Sequence, residues 1–319
     1  MDPTTPASSS VHLSNCSRRD FISAGATLVA AGALGRTHLD AATAPAADRI
    51  IDIHQHVPYS KRTAEQLMAH QKAMGISLTI LLPAGSRFGL AAGVNPYPET
   101  KALAEKHPDQ FRWFANEVSD QPDAIDVMRR QLKAGAIGIG EQKFNVDCDS
   151  AAMERVIKLA EEFGVPVLMH FQQGSYNHHI ERMPKVLEKF PQVNFIAHAQ
   201  TWWGHISKEY DEKVLYPTGP VKPGGLTDRL LSDYPNMYGD LSAGSGYRAF
   251  IRDEEHARWF FAKHQDKLLY GSDCSDPVGR GPACSGSQQI ESVRKFAPDE
   301  KARRKIFFEN TRRVMKIKV

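Results

Sequence analysis

Hydrophobic residues along this 319-residue chain cluster in short runs that alternate with longer segments, in which apolar residues recur with helical spacing. The short runs predict eight β-strands, at residues 50–57, 76–83, 111–117, 136–144, 165–171, 193–200, 236–241 and 267–273. The longer segments predict helices, among them residues 63–74, 123–134, 151–163, 180–190, 254–264 and a closing helix at 303–315. Gly75, Gly135 and Gly164 stand where predicted helices end, as expected of a residue that tolerates the left-handed conformation.

Strands that alternate regularly with helices predict a parallel sheet, because parallel neighbours need crossover connections. Eight such units in about 250 residues have the size of a (β/α)8 barrel. The alternative is an open doubly wound sheet, which predicts a glycine-rich phosphate loop after the first strand. The sequence there is HQHVP at residues 54–58, without glycine. We therefore predict an α/β fold, a single-domain (β/α)8 barrel of the TIM type over residues 47–319.

The first 46 residues differ in character from the rest of the chain. Arg18 and Arg19 precede an uncharged run rich in alanine and glycine, and Ala44-Pro45-Ala46 has the form of an A-x-A cleavage site. This segment resembles a bacterial twin-arginine export signal. We interpret residues 1–46 as a signal and leader, which predicts a periplasmic or secreted protein. The alternative is a disordered leader with a chance pair of arginines.

The composition indicates a soluble globular protein, with 41% hydrophobic and 24% charged residues. The 40 basic residues nearly balance the 37 acidic ones, and no long basic run predicts a nucleic-acid partner. No uncharged apolar stretch reaches the roughly 18 residues of a membrane span, so we expect no integral membrane segment. Apart from Cys16 in the leader, the cysteines are Cys148, Cys274 and Cys284, which lack zinc-finger spacing. Cys274 and Cys284 can pair in an oxidising periplasm or stay reduced.

Candidate chemistry lies at the ends of the predicted strands, where a barrel of this kind places its reactive groups. His54 and His56 are two residues apart in the first strand and therefore share a face. Other predicted strands end in a histidine or a carboxylate: Glu141, His170, His198 and Asp273. Six polar groups crowded at one barrel end would leave several without partners. A divalent cation supplies the missing partner, and an imidazole and carboxylate set suits zinc and neighbouring first-row ions.

This combination of strand ends resembles the amidohydrolase superfamily of metal-dependent (β/α)8 barrels, over about residues 48–316. The motifs IDIHQH at 51–56, NFIAH at 194–198 and LLYGSD at 268–273 are similar to those of its amidohydrolase-related branch. That branch also contains aminocarboxymuconate-semialdehyde-type decarboxylases. Together the motifs are specific for the superfamily and weak for any one substrate.

The resemblance implies a ligand set for one or two divalent metal ions, with Zn²⁺ favoured. It puts His54, His56 and Asp273 on a first ion, and His170 and His198 on a second. Glu141 takes the place of a bridging carboxylate, although Lys143 stands two residues on and is the equivalent of a carboxylated lysine if the strand register differs. Many members of the branch instead use one metal and leave the histidine of the sixth strand, here His198, free for proton transfer.

The resemblance implies a metal-dependent hydrolase that acts on an amide, ester or lactone bond of a small, anionic substrate. A zinc-like ion lowers the pKa of its water from 15.7 to about 7. Asp273 would take the proton from that water and pass it to the leaving group. One alternative is a decarboxylase or other lyase with a single metal and His198 free. Another is a non-catalytic binder of metal or of a small molecule.

Further residues are candidates for the substrate pocket: Arg87, Lys143, Trp202, Trp203 and Tyr176. The positively charged side chains of Arg87 and Lys143 can clamp an anionic group or can be solvated surface charges. The two tryptophans can form a stacking wall or can pack under a long loop. The proline-rich stretch at 205–225 is longer than a usual connection and is a candidate lid, and residues 275–286 are a candidate rim. Dimerisation is common among barrels of this size, and no feature of the sequence tests it.

Overall fold

The structure is a computed structural model that describes residues 48–85 and 97–318. The predicted export signal at 1–46 and the pocket candidate Arg87 lie outside the described residues. Within these residues, no helix combines the length and the apolar character that crossing a membrane requires.

The described residues form eight strands that follow the predicted order. They are β1 Ile50–Gln55, β2 Ile76–Leu81, β3 Phe111–Trp113, β4 Ile139–Gln142, β5 Val167–His170, β6 Phe195–His198, β7 Met237–Asp240 and β8 Leu268–Leu269. Each lies inside a predicted strand. The strands are shorter than predicted because ladder pairing stops where side chains and loops take over the backbone hydrogen bonds of the strand ends.

All of the strand pairs are parallel, in the orders β1-β2-β3 and β4-β5-β6-β7-β8. A parallel bridge between Ala115 and Ile139 joins the end of β3 to β4. On the other side, the Ile53 amide donates to the Tyr270 carbonyl (3.1 Å), and the Asp273 amide donates to the His54 carbonyl (2.8 Å). These bonds connect the β8 segment to β1 and confirm the predicted (β/α)8 barrel.

Helices fill the connections between the strands. They are α1 Ala64–Met74, α2 Tyr97–Lys106, α3 Ala124–Lys133, α4 Ala151–Phe163, α5 Met183–Lys189, α6 Gln200–Gly204, α7 Leu226–Asp233, α8 Ala243–Ile251, α9 Glu254–His264, α10 Ser285–Phe296, α11 Glu300–Arg304 and α12 Asn310–Val314. A 3₁₀ turn, Ile180–Arg182, precedes α5, and a π-helical turn, Lys305–Glu309, joins α11 to α12. The single closing helix predicted at 303–315 is therefore interrupted by this turn.

Local sequence signals set the ends of several helices. Thr63 caps α1 through a reciprocal bond with Gln66, and Gly75 ends that helix with φ of +75°. Ser150 accepts a hydrogen bond from the Met153 amide at the start of α4, and Gly164 ends that helix with φ of +62°. The predicted stops at both glycines are confirmed.

The hydrophobic core has two parts. An inner cluster contains Leu168 and Ile196, which lie two residues before His170 and His198 on the same strand faces. A larger cluster joins alternate strand residues such as Val167 to helix residues such as Val156. The inner layer fills the barrel and leaves the polar strand ends above it.

Candidate metal centre

Six side chains converge at the carboxyl ends of the strands: His54, His56, Glu141, His170, His198 and Asp273. Nε2 of His54 and Nε2 of His56 are 3.3 Å apart. Oε2 of Glu141 lies 3.6 Å and 3.5 Å from these two nitrogens, and Oδ1 of Asp273 lies 3.8 Å and 3.5 Å from them. A carboxylate oxygen from each of two other strand ends thus lies within 4 Å of both imidazole nitrogens.

Glu141 also belongs to a second group of ligand-type atoms. Its Oε1 is 2.5 Å from Nδ1 of His170 and 3.8 Å from Nε2 of His198. The carboxylate therefore lies between the two groups and faces each of them with one oxygen.

Hydrogen bonds fix which nitrogen of the first two imidazoles carries a proton. Nδ1 of His56 lies 2.8 Å from the Leu82 carbonyl oxygen, which only accepts, so this nitrogen is the donor. Nδ1 of His54 likewise donates to Oδ2 of Asp240, 2.7 Å away. Burial opposes a charge on His54, but the carboxylates of Asp273, Glu141 and Asp240 raise the pKa of this ring well above its usual range. In the neutral form that a metal ligand takes, the lone pairs of both Nε2 atoms face each other and the two carboxylates.

The buried carboxylates of Asp273 and Glu141 carry negative charge that a bound cation would neutralise. Burial opposes ionisation of Asp273, but the imidazoles of His54 and His56 lower the pKa of this carboxyl. Burial likewise opposes ionisation of Glu141, and the Lys143 ammonium and His170 hold its pKa well below its usual range. The buried Oδ1 of Asp273 has no hydrogen-bond partner among the described residues. One shared proton can satisfy only one of these acceptors, whereas a bound cation satisfies them together.

Ser242 and Asp240, which lie behind the six groups, orient the ring of His198. Oγ of Ser242 donates its single proton to Oδ2 of Asp240 (2.9 Å) and lies 3.0 Å from Nδ1 of His198. The ring therefore donates from Nδ1 to the hydroxyl, and its Nε2 lone pair faces Glu141 and Asp273. Burial, with the neighbouring imidazole of His54, lowers the pKa of His198 to about 3, so the ring is neutral.

Sequence reasoning missed Asp240 and Ser242. Asp240 ends the predicted strand 236–241 with a carboxylate, which is the same signal that identified the other six groups. Ser242 follows two residues later and had no distinguishing signal, because a serine after a strand is common in loops.

The comparison with known families decides the assignment. The family model described as amidohydrolase matches residues 51–317. The chain belongs to the amidohydrolase family. This confirms the superfamily to which the strand-end motifs are similar. No curated protein matches the sequence.

Solved structures similar to this amidohydrolase share its fold at low sequence identity. One is an uncharacterised TIM-barrel protein from Bordetella bronchiseptica, with 15% identity and a TM-score of 0.61, covering 84% of this chain and 98% of that one. Another is a probable 2-pyrone-4,6-dicarboxylic acid hydrolase from Acinetobacter baumannii, with 11% identity and a TM-score of 0.58, covering 84% of this chain and 100% of that one. A third is 5-carboxyvanillate decarboxylase from Sphingomonas paucimobilis, with 12% identity and a TM-score of 0.53, covering 85% of this chain and 100% of that one.

Oε2 of Glu141 lies within 4 Å of both Nε2 atoms of the His54–His56 pair in this amidohydrolase. Nζ of Lys143 lies 5.6 Å from the centre of the Tyr176 ring, which in turn packs edge-on against His170 at 5.4 Å. The two predicted pocket residues therefore stand together beside the cluster, with a cation next to an aromatic face.

Trp202 and Trp203, the predicted pocket wall, lie inside the described fold. Both side chains are fully buried. Trp203 donates from Nε1 to the Asp240 carbonyl (2.9 Å) and packs against Phe250, with ring centres 5.1 Å apart. The rings thus pack into the core around α6 and α8.

Tyr59 is a further residue that sequence reasoning missed. Its ring lies edge-on to His56, with centres 5.0 Å apart. The Asp273 carboxylate, with burial, raises the pKa of its hydroxyl, which therefore keeps its proton as a donor beside Asp273. Tyr59 lies in the loop after β1, and an isolated loop tyrosine carries no local signal of such a position.

Proposed function

We propose that this amidohydrolase is a metal-dependent hydrolase that cleaves an amide, ester or lactone bond of a small, anionic substrate. The observation that carries the proposal is the convergence of four acceptor atoms, in which each carboxylate oxygen lies within 3.8 Å of both imidazole nitrogens: Nε2 of His54, Nε2 of His56, Oε2 of Glu141 and Oδ1 of Asp273. Two nitrogen ligands of a tetrahedral zinc ion lie about 3.3 Å apart, given Zn–N distances of about 2.0–2.1 Å. The distance between the two Nε2 atoms is 3.3 Å. The residues therefore fit a divalent cation, and we propose Zn²⁺.

The two groups would differ in affinity. His54, His56, Glu141 and Asp273 present free acceptor atoms to a first ion. A second ion between Glu141, His170 and His198 would have to replace the hydrogen bond from Nδ1 of His170 to Glu141 (2.5 Å). Because that bond must be given up, the first group would fill at lower metal concentration than the second.

The residues of the centre suit the hydrolysis of a carbonyl compound. A divalent ion held here would supply Lewis acidity, which polarises a carbonyl oxygen and lowers the pKa of water. With Oδ1 of Asp273 directed to the ion, Oδ2 of the same carboxylate, 3.6 Å from Nε2 of His198, can take the proton of the attacking water and return it to the leaving group. Lys143, beside Tyr176, would attract a carboxylate of the substrate.

The experiment is a substrate screen with the full chain, freed of metal and then loaded with Zn²⁺, Mn²⁺ or Co²⁺. The panel contains lactones such as 2-pyrone-4,6-dicarboxylate, carboxylated esters and amides, and aromatic carboxylates. The hydrolase predicts acid release with one water consumed, and loss of this activity in folded Asp273→Asn. Equal rates for the wild type and Asp273→Asn on the whole panel, with metal bound, would support the non-catalytic binder.

Decarboxylation is the second candidate, and the neutral, buried imidazole of His198 favours it. Burial and the neighbouring His54 lower the pKa of this ring and keep it uncharged. One metal in the first group would leave its Nε2, which faces Glu141 and Asp273, unliganded and free to exchange a proton with the substrate. Release of CO₂ from an aromatic carboxylate by enzyme with one bound equivalent of metal would establish this reaction in place of hydrolysis.

We also propose that residues 1–46 direct export by the twin-arginine route. The support is the Arg18-Arg19 pair followed by an uncharged run and an A-x-A sequence. Expression in a bacterium with this pathway, followed by fractionation, should place the wild type in the periplasm. The double variant Arg18→Lys, Arg19→Lys should remain in the cytoplasm, and an unchanged distribution would reject the proposal.

A further inference from the structure

A second cluster of ligand-type atoms lies outside the six-residue centre. It contains His70 and Met74 on α1, Cys274 just after β8, and Cys284 at the start of α10. Sγ of Cys284 is 3.6 Å from Sγ of Cys274, 3.4 Å from Nε2 of His70 and 3.7 Å from Sδ of Met74. The four side chains are buried, so three sulfur atoms and one imidazole nitrogen share a space closed to solvent.

The ring of His70 is oriented with a lone pair towards this space. The side-chain amide of Gln71 donates to Asp52 and to Thr79, both at 2.8 Å. The remaining oxygen of Gln71 lies 3.3 Å from Nδ1 of His70 and can only accept from it. Nε2 is therefore the unprotonated nitrogen of the neutral ring, and it faces Cys284. A ligating histidine typically has this arrangement, with its other nitrogen donating to a fixed oxygen.

We propose that His70, Cys274 and Cys284 form a thiolate metal site for a thiophilic d¹⁰ cation, represented by Zn²⁺ or Cd²⁺, with the Met74 thioether beside it. Two thiolates on tetrahedral zinc lie about 3.8 Å apart, and a thiolate and an imidazole about 3.5 Å apart, given Zn–S of about 2.3 Å and Zn–N of about 2.0–2.1 Å. The observed separations of 3.6 Å and 3.4 Å need little adjustment. Soft sulfur donors select such ions over magnesium or calcium.

Binding would couple this site to the barrel end. Each thiol releases one proton to solvent when it becomes a ligand. The Cys274 carbonyl accepts hydrogen bonds from Arg62 (2.6 Å) and Gln55 (3.1 Å), and Cys274 directly follows Asp273. An ion held by Cys274 and Cys284 would therefore anchor both ends of the segment 274–284 that follows Asp273. The expected role is structural, because the ligands are buried and leave no open position to solvent.

The arrangement of the two sulfurs differs from that of a disulfide. A disulfide bond joins its sulfurs at about 2.05 Å, and the two here are 3.6 Å apart. A disulfide between Cys274 and Cys284 is the competing state. An external disulfide oxidant that removes two electrons and two protons from the two thiols would form it, and the metal site would be lost. The test must therefore begin from reduced protein.

The test uses the reduced, metal-free full chain titrated with Cd²⁺, read by the ultraviolet thiolate-to-metal charge-transfer absorption. The six-residue centre contains no sulfur and gives no such band, so the result is independent of the proposed hydrolase. We expect a band whose final height corresponds to one sulfur-bound ion per chain in the wild type and in Cys148→Ser, and that is lost in Cys284→Ser. Cys148 is a buried cysteine that bonds the His179 carbonyl and serves as the matched control.

A second measurement covers the case in which Cys284→Ser fails to fold. Alkylation of wild-type thiols with and without Zn²⁺, mapped by mass spectrometry, should show that Zn²⁺ slows labelling of Cys274 and Cys284 at least tenfold and leaves Cys148 unchanged. Absence of the band in folded, reduced wild type would overturn the proposal. So would equal labelling of Cys274 and Cys284 with and without the ion.

Discussion

Asp240 accepts a hydrogen bond from Nδ1 of His54 at 2.7 Å and so turns Nε2 of that ring towards Glu141 and Asp273. Oδ2 of Asp240 also accepts from Ser242, whose hydroxyl oxygen lies 3.0 Å from Nδ1 of His198. One carboxylate thereby sets the orientation of two imidazoles that come from different strands. Such supporting partners determine which lone pairs are available to a metal.

The first prediction concerns this support. Asp240→Asn keeps the size of the side chain but weakens the bond that orients His54, so we expect a 10–100-fold loss of metal affinity. Isothermal titration of metal-free protein with Zn²⁺ measures it. Asp228→Asn is the matched control. Asp228 also accepts a hydrogen bond from a buried histidine, His264 (2.7 Å), but this pair is not part of the six-residue centre. Equal affinities of the two variants would show that Asp240 has no part in metal binding.

The second prediction separates Glu141 from Lys143. Glu141→Gln removes the carboxylate between the two groups of ligand atoms, so the metal content per chain should fall. Lys143→Gln should keep its metal and raise KM for an anionic substrate, since the ammonium lies beside the Tyr176 ring. Elemental analysis and steady-state kinetics give the two readouts. The reverse result, metal lost only in Lys143→Gln, would identify the lysine as the ligand.

The third prediction is that the metal stabilises the fold. An ion that binds only the folded chain adds about 2.7 kcal/mol to the free energy of unfolding when its concentration is 100 times Kd. For a chain of this size the gain corresponds to roughly 4–5 °C in Tm. Chelation should lower Tm and added Zn²⁺ should restore it. In His56→Asn, which lacks one ligand, the gain should be smaller, and an equal gain would place the ion elsewhere.

The fourth prediction concerns the pH dependence of stability at Asp228. Burial opposes its charge, but hydrogen bonds from Lys263 (2.6 Å) and His264 (2.7 Å) lower its pKa. A carboxyl with a lowered folded-state pKa stabilises the fold above its unfolded pKa, and this contribution is lost as pH falls through the folded value. Asp228→Asn should therefore lower the free energy of unfolding by about 1–3 kcal/mol near pH 7.

Urea unfolding at several pH values measures this difference. It should shrink as the pH falls below the unfolded pKa of Asp228, about 3.9. A difference that keeps its neutral-pH value down to about pH 2 would contradict the assigned direction of the pKa.

The local pattern of the chain predicted most of the secondary structure. The helices α4 and α9 have the bounds expected from apolar spacing at 151–163 and 254–264, and all eight strands lie within predicted runs. These features depend on neighbours a few residues apart, so periodicity and helix stops carry the information. The same local rule, a polar group at the end of an apolar run, found His170, His198 and the four atoms of the first group.

Long-range packing settled what the local pattern left open. The ladder of β4 shifts register between Ile139 and Gln142, so the alternation of faces breaks where Glu141 and Lys143 had to be told apart. Asp240 acquires its role only because β7 places it beside a ring from β1, and His70 meets Cys284 from a helix 214 positions away. Hydrogen bonds and metal ligation depend on distances of a few ångströms between residues remote along the chain, which one-dimensional periodicity does not encode.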